Sequence, residues 1–279
     1  MRFGLFIPPF GELADPGRVA DLAVVAEEAG WSGFFLWDHV LSRPGVPVAD
    51  AWVTMAAVAT ATSDMLFGPM VTPLSRRRPW TLARQIATLD RLSGGRLVLG
   101  VGLGDDGWKE FSSFGEVTDP RERGVLLDDS LEALRLLLTG ETTDFEGKRL
   151  AVHASPFLPR PVADPVPVWV GCRFPNQAPL ARAARMEGCF PIFPGSPDVP
   201  SAADLTVLRE SLAARGVPAQ GGYDLVVRCV LRGLDPVGYA EAVAALESCG
   251  ATWALEAFDP GVPAAEVEAA VARGPGRSG

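Results

Sequence analysis

Short apolar runs and longer stretches with apolar residues at helical spacing take turns along this chain, and their order predicts its fold. Residues 2–8 form an apolar run that stops at Pro8-Pro9. Asp15-Pro16 then supplies an N-cap with proline at the first helical position, and Val19, Leu22, Ala23 and Ala26 share one helical face before Gly30. Phe34 to Trp37 predicts a second strand that ends abruptly in Asp38-His39, and residues 50–62 predict a helix. Met65 to Thr72 is the third strand, followed by a helix from Pro79 through Leu82, Ile86 and Leu89 to the Ser93-Gly94-Gly95 turn. Arg96 to Gly104 is the fourth strand, and a helix from about Pro120 to Thr139 carries Leu126, Leu127, Leu131, Leu134 and Leu138 along one face.

Val166 to Gly171 is the fifth strand, with a helix beginning near Pro175 that carries Leu180, Ala183 and Ala184. Cys189 to Phe193, Leu225 to Leu231 and Thr252 to Ala257 are the last three strands. They are separated by helices over Ala202–Arg215 and Pro236–Ser248, and residues 263–272 give a final helix. Strand and helix alternate eight times with no break in composition, which predicts an α/β fold: one closed (β/α)8 TIM barrel spanning residues 1–279 rather than an open doubly wound sheet. Residues 140–165, rich in proline and charge, read as an excursion from the barrel and not as a domain linker.

Composition narrows the possible partners. At 48% hydrophobic residues the chain can bury a sizeable core, and its net charge of −9 with a pI near 4.8 argues against nucleic acid or an anionic membrane as partner. No apolar run approaches the roughly 20 residues of a membrane span, and the N-terminal run, cut short by Pro8-Pro9, does not read as a secretory signal. Cys172, Cys189, Cys229 and Cys249 are widely spaced and read as reduced thiols of a cytoplasmic protein. With only His39 and His153 in the chain, a His-rich metal site is excluded, a carboxylate site stays open, and no metal is expected.

In a barrel of this type the C-terminal ends of all strands meet at one rim, so residues distant in sequence converge there. That gathers Asp38 and His39 after strand two, Val71-Thr72 at the end of strand three, Gly102-Leu103-Gly104-Asp105-Asp106 after strand four and Gly171-Cys172-Arg173-Phe174-Pro175 after strand five. The alternating glycines bring bare backbone to the rim, for a flat or phosphorylated ligand or simply for a flexible turn. Gly171 to Pro175, passing from a strand into a helix N-terminus with Arg173 beside it, suits an anion. His39 is the candidate proton carrier, and Asp38 next to it points the opposite way on an extended chain. Asp105 is a candidate acid. Arg76-Arg77-Arg78 reads first as a solvated face and second as an attractor of anions, and His153 has no assigned site role.

These pieces resemble the bacterial luciferase-like family of flavin- and deazaflavin-dependent oxidoreductases. The resemblance rests on Ala26-Glu27-Glu28-Ala29-Gly30-Trp31 leading to Trp37-Asp38-His39, and on Leu89-Asp90-Arg91-Leu92-Ser93-Gly94-Gly95-Arg96 leading to Leu99-Gly100-Val101-Gly102. Phe145-Glu146-Gly147-Lys148 and Pro167-Val168-Trp169-Val170-Gly171 add to it, over roughly residues 1–195. It implies a barrel that holds FMN, with coenzyme F420 as the alternative, over its mouth and moves hydride or activated oxygen to or from a small organic substrate. NAD(P)H or a flavin reductase would reduce the FMN, and a homodimer is implied.

By position, His39 matches the base or polar partner of several members, and Asp105 falls where some sugar-phosphate-oxidising deazaflavin members carry a glutamate. Those members have a tryptophan where this chain has Arg43, and luciferase has an arginine near the position of Leu103. Pro69-Met70 lies where members bear a non-prolyl cis bond, so a bulge is expected at Pro69 to Val71. The implied cofactor contacts are Phe6, Met70, Val71, Thr72, Gly102, Leu103, Gly104 and Gly171 to Pro175, with His39, Asp105 and Asp38 as catalytic candidates. The rivals are a metal- or Schiff-base-dependent barrel and a flavin binder without turnover. Lys109 and Lys148, outside the strand ends, speak against the first of these.

Overall fold

A computed structural model describes residues 1–218 and 221–276. The chain runs through β1 (Arg2–Ile7), α1 (Pro16–Glu28), β2 (Gly33–Leu36), α2 (Ala51–Ala61), β3 (Leu66–Pro69), β4 (Thr72–Pro73), α3 (Pro79–Ser93), β5 (Leu99–Gly102) and α4 (Pro120–Leu138). It continues with β6 (Thr143–Glu146), β7 (Ala151–Ala154), β8 (Val168–Arg173), α5 (Gln177–Ala183), β9 (Gly188–Ile192), α6 (Ala202–Ala213), β10 (Asp224–Cys229), α7 (Pro236–Ser248), β11 (Trp253–Ala257) and α8 (Ala264–Arg273).

Nine strands form one sheet in the order β3-β2-β1-β11-β10-β9-β8-β5-β4, paired in parallel. β3 and β4 are two halves of one stave interrupted by a cis peptide between Met70 and Val71, so the nine strands make eight staves. β3 also reaches the chain just before β5: the Phe67 amide donates to Arg96 O at 3.2 Å and the Val98 amide to Phe67 O at 2.9 Å. Those bonds close the ring, and the expected TIM barrel is the fold observed.

Alternation sorts the side chains into two layers. Phe6, Phe35, Met70, Val98, Trp169, Phe190, Val226, Trp253, Leu255 and Ala257 fill the lumen. Their neighbours Leu5, Phe34, Leu36, Val101, Val170, Cys172 and Val227 face the helices. Gly68 and Gly100 on the inner faces are required by crowding, since a Cβ there would stand 1.9 Å from Val98 O and 2.1 Å from Pro69 O respectively.

Two of the family-like motifs hold the closed end of the barrel, opposite the mouth. Glu27 accepts the amides of Ser63, Asp64 and Met65 at 2.9, 2.7 and 2.7 Å. Burial alone would raise its carboxyl, but the three amides and the charge of Arg96 outweigh that and hold it below the usual range. Arg96 is buried and donates to the carbonyls of Ala59, Thr62, Met65 and Ser93 and to Thr62 Oγ1 at 2.7–2.9 Å.

Three expectations change. The third strand is not continuous over Met65 to Thr72, because the bulge expected at Pro69 to Val71 splits it. The excursion at 140–165 contains an antiparallel hairpin of β6 and β7, tied down where Asp129 accepts the Arg149 amide at 2.6 Å. The helix expected near Pro175 starts only at Gln177, after a cis Phe174–Pro175 peptide. His153, as expected, has no part in the mouth: it lies exposed on β7, between Asp144 at 2.7 Å and Glu146 at 3.1 Å.

Candidate active site

The alternation that builds the barrel also divides the residues expected at its mouth. Phe6, Met70, Val71, Gly102, Gly171 and Arg173 belong to inner faces. In β8, for instance, Trp169 fills the lumen while Val170 and Cys172 face out, which turns Gly171 and Arg173 inward. Val71 overlies the glycine floor, because a Cβ on Gly102 would meet its Cγ2 at 2.4 Å and one on Gly171 its Cγ1 at 3.2 Å. The floor is therefore bare backbone seated against one valine, a shape suited to a flat ring.

The other six expected contacts are placed differently. Cys172 is fully buried among outer side chains, with Sγ against the Val170 and Pro179 carbonyls at 3.4 and 3.3 Å. Thr72 is buried on the outer side, and Leu103 packs against the outer core. Gly104, with φ of 74°, is needed because the Phe111 ring would lie 2.7 Å from a Cβ there. Phe174 packs against Phe193 with ring centroids 5.6 Å apart and planes tilted by 58°, and Pro175 is exposed. A helix dipole adds little for an anion here, since α5 has only seven residues and begins beyond Arg173.

His39 and Asp38 point apart, as alternation requires. Asp38 is 3% exposed and enclosed by donors. Thr72 Oγ1 donates to it at 2.7 Å, Trp52 Nε1 at 3.3 Å, and Arg77 Nη2 sits 2.8 Å from both oxygens. Expected among the catalytic groups, Asp38 instead has its lone pairs committed within the wall between β2, α2 and the turn after β4.

His39 turns to the mouth, ringed by Trp108, Trp37 and Phe10 with centroids 4.8, 5.6 and 5.7 Å away. Its Nδ1 lies 2.6 Å from Oε2 of Glu110, whose side chain is 2% exposed. The other Glu110 oxygen accepts the Val40 amide at 2.7 Å, the Leu41 amide at 3.3 Å and Arg76 Nη1 at 3.3 Å. Burial alone would raise the Glu110 carboxyl. The hydrogen bond and charge of His39, the Val40 amide and Arg76 outweigh it and hold the group low. An ionised carboxylate only accepts, so Nδ1 carries a hydrogen, and in the neutral imidazole Nε2 is the acceptor, with no protein partner among the described residues.

Glu110 has no place among the site residues expected from the sequence, and Arg76 and Arg77 have a different task from either reading given them. Arg76 and Arg77 do not form a solvated face: their side chains are only 6% and 18% exposed and brace Glu110 and Asp38. Glu110 sits in a loop without periodicity, after Lys109 at φ 58°. The only sequence signal was an isolated glutamate two residues past Trp108.

Asp105 and Arg173, expected as acid and anion binder, are paired with each other at 2.7 Å and both largely exposed. Trp37 Nε1, on the ring beside His39, is buried without a hydrogen-bond partner. A cavity of about 330 Å³ adjoins the mouth between Phe10, Arg43 and Asp259. A larger one, about 830 Å³, lies between α7 and α8 and reaches Val230 just past the end of β10. No cluster of metal-ligating side chains occurs, and no helix is long and apolar enough to cross a membrane, among the described residues.

Comparison with known proteins places this architecture. A family profile described as luciferase-like monooxygenase matches residues 1–232. An F420-dependent glucose-6-phosphate dehydrogenase of Nakamurella multipartita is 34% identical over 192 residues, 65% of this chain and 53% of that protein. One from Kineococcus radiotolerans is 32% identical over 206 residues, 72% of this chain and 60% of that one. The chain thus spans little more than half the length of these curated relatives. In fold it is similar to the coenzyme F420 dependent tetrahydromethanopterin reductase of Methanopyrus kandleri, with a TM-score of 0.79 and 17% identity over 98% of this chain and 96% of that one. The monooxygenase RslO1 of Streptomyces bottropensis gives 0.78 and 20% over 97% and 96%.

Proposed function

Because the chain belongs to the luciferase-like monooxygenase family, we propose that it is an oxidoreductase that binds a flavin-type ring across the barrel mouth and oxidises or reduces a small organic substrate beside it. The observation that carries this reading is the His39–Glu110 pair, a histidine held in one tautomer by a buried carboxylate at the rim, beside a floor of bare glycines. Gly102 and Gly171 leave room for a ring, Met70 and Val71 back it, and Arg173 stands where an anionic tail could be received. Bound there, the ring supplies the hydride acceptor or donor.

The chain's own part is proton handling and shielding of the imidazole. As a substrate hydroxyl is oxidised, Nε2 of His39 takes its proton, and Glu110 stabilises the resulting imidazolium while keeping the ring oriented. Phe10, Trp37 and Trp108 pack around the imidazole and reduce its exposure to 26%.

Coenzyme F420 is preferred to FMN, reversing the order drawn from sequence, because the two curated relatives of 34% and 32% identity are named for it. F420 needs neither NAD(P)H nor a flavin reductase during turnover, so neither is included. A cytoplasmic homodimer completes the reading, checked by light scattering. Fluorescence titration with F420 and with FMN tests the proposal: tighter binding of F420 supports it, and binding of neither overturns it.

A further inference from the structure

One inward-facing cation at the mouth has no role in the reading above. In β10, Val226 fills the lumen while Val227 and Cys229 pack in the outer layer, so Arg228 projects inward above Val226. Of the other inner positions around it, Phe6, Val71, Gly102, Gly171 and Ile192 are apolar or bare, and the one other cation, Arg173, is already paired with Asp105. A guanidinium there needs a partner of opposite charge.

The partners it has are poor. Nη1 lies 3.4 and 3.3 Å from the Ser196 and Pro197 carbonyls, and Nη2 lies 3.3 Å from Oδ1 of Asp259, whose side chain is 71% exposed while that of Arg228 is only 17% exposed. Arg232, four residues on, shows the contrast, with Nη1 2.7 Å from buried Glu256. The Arg228 head group is thus held in position by the loops after β9 and β11 without a buried counter-charge. Asp259 also lines the cavity of about 330 Å³ that reaches Phe10, and Phe10 is in ring contact with His39. Around the barrel β10 is separated from β2 by β11 and β1, so Arg228 and His39 face the mouth from well-separated staves.

We propose that Arg228 receives an oxyanion of the substrate, a carboxylate or phosphate group, displacing Asp259 and directing the rest of the molecule across the mouth toward His39. Arg173, on β8 beside Asp105, is then left to the cofactor's anionic tail, and the mouth has two cations with separate tasks. The bidentate fork of arginine suits either oxyanion. The inference rests on the proposed oxidoreductase reading for what happens at His39, but the anion subsite itself can be tested without cofactor.

The test is calorimetric titration of the full chain with inorganic phosphate and with sodium acetate, in an Arg173→Gln background that removes the other inward cation. At least one anion should bind this background, and the tighter of the two identifies the group. Adding Arg228→Met should weaken binding about tenfold or more, and Arg228→Lys should recover part of it. Asp259→Asn, at an exposed position where folding is not at stake, should tighten binding by removing the competing carboxylate. Failure of both anions to bind, or affinity unchanged by Arg228→Met, or by Asp259→Asn where the first variant does not fold, would overturn the proposal. Fluorescence titration of the Arg228→Met variant with F420 keeps the two readings apart: cofactor binding should be unchanged whichever way the anion result falls.

Discussion

The Nδ1 atom of His39 and Oε2 of Glu110 lie 2.6 Å apart although 71 residues separate them in the chain. The contact joins the loop after β2 to the loop after β5 and selects the tautomer that leaves Nε2 toward the mouth. His39→Ala should lower turnover at least about tenfold, the cautious end of general acid–base effects, with cofactor affinity little changed. Glu110→Gln keeps the size and removes the charge, so it should lower kcat more than it raises KM and shift the pH profile of kcat. Steady-state kinetics across pH checks both, and a Glu110→Gln profile superimposable on wild type would remove Glu110 from the proton-handling pair.

The depressed carboxyls set how stability depends on acidity. Glu27 and Glu110 ionise at lower pH in the folded chain than their reference value of 4.5. Their contribution is therefore fully present above the unfolded value and is lost as pH falls through the folded ones. Glu256, pushed up by burial, runs the other way, its contribution fading as pH rises from the unfolded to the folded value. Urea midpoints for wild type and Glu110→Gln should converge as pH is lowered from neutrality into the acid limb. Midpoints that stay equally far apart at every pH would refute the assignment.

The Asp105–Arg173 pair at 2.7 Å makes a charge at the rim that an anionic tail must compete for. Arg173→Gln should weaken cofactor binding and Asp105→Asn should strengthen it, each by about threefold to tenfold for an exposed group. Were Asp105 the acid of the reaction, Asp105→Asn would lower kcat instead. Titration and kinetics on one variant thus separate the two roles.

Two neighbouring glycines should respond differently to the same change. At Gly100 a methyl group meets a backbone carbonyl, Pro69 O, at 2.1 Å, whereas at Gly102 it meets the Val71 side chain at 2.4 Å. Gly100→Ala should therefore be severely destabilising, because staves of a closed ring have little freedom to part, while Gly102→Ala should fold after Val71 shifts and lose cofactor affinity. Thermal unfolding together with ring-fluorescence titration distinguishes the cases.

Arg96 donates at the closed end to four carbonyls and a hydroxyl. Arg96→Met leaves those acceptors unpaired in a buried site and should cost about 3 kcal/mol or more, seen as a lower urea midpoint without a change in the mouth's chemistry. A loss below about 1 kcal/mol would mean that water replaces the guanidinium there.

Local pattern was enough for the order of strands and helices, the Asp15-Pro16 helix start and the Gly94 stop, and, by strand alternation, for the opposed directions of Asp38 and His39. These depend on residues a few positions apart, where periodicity and capping act. Tertiary structure decided that Asp38 is a saturated wall carboxylate, that Arg76 and Arg77 are buried braces, that Cys172 and Thr72 face away from the mouth, and that Glu110 belongs to His39. Each of those outcomes depends on which loops meet once eight staves close into a ring. A hydrogen bond between loops has no periodicity along the chain, so nothing short of the closed barrel could pair them.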